Sequence, residues 1–124
     1  MNKVITATLG MILGLITVAY AATLTLTWTA PSDDNGKGGI IASYKLVYST
    51  SPITEMNFNN ATVIPTGIPK APGQKETYTV NLTTDNHYYF AIEGVNTANN
   101  YAPMSNLAGK DFLAPSQVTD LSVQ

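Results

Sequence analysis

Apolar and polar residues alternate with a period of two along several separate stretches of this chain, and that pattern constrains the fold more than any other feature. Thr23 to Trp28 places Leu24, Leu26 and Trp28 on one face and threonines on the other. Within Ile40 to Ser49, Tyr44, Leu46 and Tyr48 share a face, with Lys45, Val47 and Ser49 opposite. Glu76 to Leu82 turns Tyr78, Val80 and Leu82 inward, and His87 to Val95 does the same with Tyr88, Phe90 and Ile92. Successive side chains of a strand point to opposite faces, so each stretch reads as an amphipathic strand. No segment after residue 21 carries apolar residues at helical spacing.

Turn formers divide these stretches. Ala30 to Gly39 is a loop, Asn96 to Pro103 a second one, and Ser105 to Phe112 a last, weaker strand. Between residues 50 and 75, Pro52, Pro65, Pro69 and Pro72 leave room for one or two short edge strands, around Ala61 to Ile64. Short amphipathic strands split by turns predict an all-β domain of two sheets packed face to face. The expected core is Leu26, Trp28, Tyr44, Leu46, Val80, Leu82, Tyr88, Phe90 and Ile92.

The front of the chain follows a different rule. Lys3 precedes an apolar run from Val4 to Val18 that ends in Ala19-Tyr20-Ala21, the pattern of a secretory signal peptide over residues 1–21. An uncleaved anchor is the rival, because the run approaches the ~20 residues that cross a bilayer. It would leave no spacer between lipid and the strand starting at Thr23, so cleavage, a domain over 22–112 and a tail over 113–124 are expected. Loss of residues 1–21 removes Lys3 and no acid, taking the formal charge from −2 to −3. A mildly acidic module without arginine lacks the basic face that nucleic acid and anionic lipid require. With no cysteine, stability comes from burial alone. The expectation is a secreted, extracellular or cell-surface protein, with the periplasm as the other compartment, and no membrane contact after cleavage.

Leu26-x-Trp28-x-x-Pro31, Tyr44-x-Leu46-x-Tyr48, and Leu82 followed by Tyr88-x-Phe90-x-Ile92 together resemble a fibronectin type III domain of the bacterial extracellular type. The resemblance covers nearly all of residues 23–112. It implies an immunoglobulin-like sandwich, an inward tryptophan on the second strand, and a tyrosine corner in which the Tyr88 hydroxyl returns to backbone. It also implies a non-catalytic spacer, adhesion or assembly role. Two departures matter. The loop Asn96 to Tyr101 contains no Arg-Gly-Asp, and the family's first strand is missing ahead of Thr23. A first-strand-like segment stands instead at the C-terminus, in Pro115 to Gln124, with Val118, Leu121 and Val123 as its apolar residues. Three readings stay open for it: donation to an identical subunit by head-to-tail strand exchange, the start of a further domain in a multidomain enzyme or adhesin, for which this domain is a spacer or ligand-binding module, or a loose tail that folds back on its own domain.

Residues that carry chemistry elsewhere do not converge here. His87 is the sole histidine, and nothing marks Ser49, Ser51 or Ser105 as its nucleophile. Asp33, Asp34 and Asn35 are expected to share a pole with Asn96, Asn99 and Asn100, but they lack the spacing of a calcium loop and read as turn chemistry. Glu55, Glu76, Glu93 and Asp111 lie on different elements, unlike the facing acids of a glycosidase. Tyr89 and Tyr101 are exposed aromatics, and Asn60-Ala61-Thr62 and Asn81-Leu82-Thr83 are glycosylation acceptors only in a host with that pathway. No enzyme, cofactor or metal is expected, and the partner class is protein.

Overall fold

The computed structural model describes residues 21–33, 37–83 and 85–124. The expected signal peptide therefore lies, apart from Ala21, outside the described residues, as do Asp34 and Asn35. Among the described residues six strands follow in order: β1 (Ala21–Thr29), β2 (Ser43–Ser49), β3 (Thr62–Ile64), β4 (Lys75–Thr83), β5 (His87–Val95) and β6 (Ala108–Asp111). They form two antiparallel sheets, one of β1 and β4, the other in the order β3-β2-β5-β6. Ala21, where the leader was expected to end, already pairs with Thr83, so the strand begins two residues before the alternation does.

The sheets close on each other because the alternation faces both inward. Leu46, Ile64, Val80, Tyr88 and Phe90 are buried between them, with Leu24, Leu26, Trp28, Tyr48, Tyr78, Leu82, Ile92 and Phe112 packed around and partly exposed. The rings of Tyr48 and Tyr88 meet edge to face at 6.0 Å, as do those of Trp28 and Tyr44 at 5.2 Å. Of the expected core, Leu46, Val80, Tyr88 and Phe90 are buried, whereas Leu26, Trp28, Tyr44, Leu82 and Ile92 are half-buried. The half-buried set includes both expected core residues of β1.

Two local expectations need correction. The expected core omits Val47, which shares a face of β2 with Lys45 and Ser49, yet Val47 is fully buried. The stretch after β2 folds back over it, and a 3₁₀ turn at Phe58–Asn60 inserts Phe58 into a second cluster with Val47, Ile53 and Ala91. Asn57 holds this turn, its side-chain oxygen accepting the Thr54 N–H at 2.7 Å and its amide donating to the Pro52 carbonyl at 3.1 Å. At the tyrosine corner, the Tyr88 hydroxyl pairs with Thr83 Oγ1 at 2.8 Å and receives the Asn86 amide at 3.4 Å, side-chain partners in place of backbone.

Candidate functional site

The polar groups of β1 are only half used. Beyond the end of β1, the Ala30 N–H donates to the Gln74 carbonyl at 2.8 Å and the Ala30 carbonyl accepts from Gly73 at 2.8 Å. In an antiparallel ladder alternate residues bond to alternate neighbours. The even positions Ala22, Leu24, Leu26 and Trp28 therefore bond to β4, and the N–H and C=O of Thr23, Thr25, Thr27 and Thr29 point to the other edge. Among the described residues no strand pairs with that edge.

Open edges are normally guarded by shortness, charge, proline or a bulge. β6 has four residues with Lys110 and Asp111 among them, and β3 has three and runs into Pro65. The free side of β4 is partly covered, because Lys70 Nζ donates to the Lys75 carbonyl at 3.0 Å and the Lys70 N–H to Glu76 Oε2 at 2.9 Å. β1 has none of these defences. It runs nine residues without a charge or a proline, in unbroken register from Ala21 opposite Thr83 to Thr29 opposite Lys75.

Beside this edge the sandwich is open. A cleft of about 110 Å³ is lined by Leu26, Thr27 and Trp28 of β1, by Leu46, Phe90 and Ile92 of the facing sheet, and by residues leading into β6. The apolar interior reaches solvent there, which is why the inward residues of β1 stay half exposed. The tail from Leu113 to Gln124 forms no strand and is exposed throughout, with Val118, Leu121 and Val123 at 71%, 92% and 98%. Among the described residues, domain and tail thus each present a strand-like edge or segment without a ladder partner.

Other candidates do less. Asp33, Asn96 and Asn100 line a hollow of about 390 Å³ at one pole. There Asn96 Oδ1 accepts the N–H groups of Ala98 and Asn100, and Asn99 adopts a left-handed φ of 64°, which is turn chemistry. His87 Nδ1 lies 3.8 Å from Asp111 Oδ1, its cross-strand partner, and its ring packs 4.4 Å from that of Tyr89. Tyr89, expected to be exposed, is thereby half-buried. At the far end of β1, Tyr44 Oη and Trp28 Nε1 are buried without a hydrogen-bond partner among the described residues. Burial pushes the Tyr44 hydroxyl up to about 12; Trp28 nearby opposes the rise and Glu76 adds to it. Glu93 is held above the usual carboxylate range by burial and then by Glu55, against the pull of Lys45.

Fold and edge together define an all-β sandwich in which, among the described residues, β1 is left unguarded and uncovered. Comparison of the chain with protein-family models, curated proteins and solved structures returns no match.

Proposed function

We propose that this chain is a secreted, non-catalytic module of the fibronectin type III kind whose work is protein interaction by strand addition at β1. The sandwich type is supported by a β1-β4 sheet facing a β3-β2-β5-β6 sheet, with Trp28 turned inward on β1 and Tyr88 tied to the turn before β5. Extracellular placement rests on the signal pattern of residues 1–21. The interaction role is carried by one observation: the long, uncharged β1 edge beside an apolar cleft. In strand addition, main-chain hydrogen bonds supply affinity and alternate side chains fill pockets. An adjoining domain continuing from the tail is the other role the exposed segment after Phe112 suits, as a spacer beside a catalytic or adhesive neighbour.

The test uses a synthetic seven-residue strand of alternating threonine and valine, added to the full chain. Hydrogen exchange at the amides of Thr25 and Thr27 should slow, and melting temperature should rise. Thr25→Pro removes one outward N–H and none directed at β4, so it should abolish both effects while leaving the far-UV spectrum unchanged. Rapid exchange at Thr25 and Thr27 at every peptide concentration would sink the proposal.

A further inference from the structure

The strand that completes β1 is identifiable from the ends of the strands. β4 ends at Thr83 and β5 begins at His87, with only residues 84–86 between them, so these ends share a pole. Ala21 is opposite Thr83 and Asp111 is opposite His87, so the start of β1 and the exit of β6 lie at that pole as well. The Phe112 N–H donating to the Asn86 carbonyl at 3.0 Å fixes the exit there.

A strand antiparallel to β1 must enter at the opposite pole, beside Thr29. Eight steps along β1 cover about 26 Å at ~3.3 Å per residue. The chain from Asp111 to Gln117 reaches about 20 Å fully extended, before any crossing from one sheet to the other. The tail therefore falls short of the antiparallel entrance of its own domain. It meets no such limit at the entrance of another molecule stacked above it.

Resting on the reading of β1 as a strand acceptor, we infer that its occupant is residues 117–123 of a second copy of this chain, paired antiparallel with Leu121 opposite Leu26 and Val123 opposite Leu24. In this register Leu121 enters the cleft among Leu26, Leu46, Phe90 and Ile92. Thr119 falls beside Trp28. Asp120, the tail's one charge, is opposite Thr27 on the solvent face, with Ser122 opposite Thr25 and Val118 opposite Thr29 at the pole. Those last three are the positions whose backbone must bond to the outward groups of β1, and none is proline. Pro115 precedes the paired segment and removes no needed donor. Each copy lends its tail at one pole and accepts at the other, so the contact is heterologous and does not close: it grows into a linear polymer.

Because the chain has no cysteine, an introduced pair reports alone. Directly opposed antiparallel residues stand about 4.5–5.5 Å apart at Cα, within the range a disulfide spans. Full-length T25C/S122C, oxidised and run without reductant, is expected to give a ladder of covalent oligomers. The pair shifted by two residues, T25C/D120C, is expected to give roughly tenfold less, the ratio set by misplacing one apolar side chain. Adding Thr27→Pro to T25C/S122C should remove the ladder, while Trp28 fluorescence confirms the fold. A covalent monomer, no disulfide at all, or a ladder indifferent to Thr27→Pro overturns the inference. If the synthetic strand still protects Thr25 while no ladder forms, the acceptor edge stands and the self-donated occupant is wrong; if neither occurs, both fail.

Discussion

Phe58 is the sharpest test of how the second sheet is held. Its side chain is 1% exposed and packs with Val47, Ile53 and Ala91, which are 0%, 3% and 2% exposed. Phe58→Ala empties most of that cluster, and truncating a buried aromatic costs about 3–5 kcal/mol. Lys45 Nζ lies 5.5 Å from the ring centroid, and losing this contact adds about 0.5 kcal/mol at a solvent-facing site. Against a total stability of about 5–15 kcal/mol for a single domain, this is a large fraction. With the lower figure of ~3 kcal/mol and ~4 °C per kcal/mol, melting temperature should fall by at least roughly 12 °C. Urea unfolding at several protein concentrations, followed by Trp28 fluorescence, is the assay, because Trp28 sits in the inter-sheet core and not under Phe58. Phe58→Leu should lose less, about 1.5 kcal/mol or under. An alanine variant that loses less than about 1 kcal/mol, or whose stretch from 50 to 61 detaches while Trp28 unfolds at the original urea concentration, would refute the claim that this segment is part of the core.

Three further outcomes follow from the same contacts. Tyr88→Phe removes the 2.8 Å bond to Thr83 Oγ1 but leaves a partner that water can reach, so urea denaturation should show a loss of about 1 kcal/mol. Tyr44 has a folded-state value raised to about 12 from 10, so its contribution is fully present below pH 10 and is lost as pH rises toward 12. Melting temperature across that window should therefore drop less steeply in Tyr44→Phe, and an equal slope counts against burial of the hydroxyl. Glu93 is likewise raised, so its charged form opposes folding at neutral pH. Glu93→Gln should melt higher at pH 7 and lose that advantage in acid, by well under ~1 kcal/mol because solvent screens the site; a stability gain that persists at pH 3 contradicts the assignment.

What the order of residues reveals by itself is what depends on local periodicity. Leu24-x-Leu26-x-Trp28 and Tyr88-x-Phe90-x-Ile92 announce their strands because a half-buried strand imposes its period on its own residues, and Pro31 and the 96–103 loop announce where strands stop. The strand-like alternation of the tail, with Val118, Leu121 and Val123 as its apolar residues, was likewise visible in the order of residues. Val47 shows where this ends. Its cover comes from Ile53 and Phe58, apolar residues set among turn formers with no period to reveal them, and only the folding back of that segment buries it. Likewise the partner of the Tyr88 hydroxyl depends on where Thr83 and Asn86 stand across a turn. The candidate site divides the same way. Alternation in the sequence determined that Thr23, Thr25, Thr27 and Thr29 share a face. That their backbone groups face an edge with no partner among the described residues, that a cleft opens beside them, and that the tail leaves at the pole opposite the antiparallel entrance were decided by pairing between distant segments, because hydrogen-bond direction and strand polarity are properties of the assembled sheet, not of any one stretch of chain.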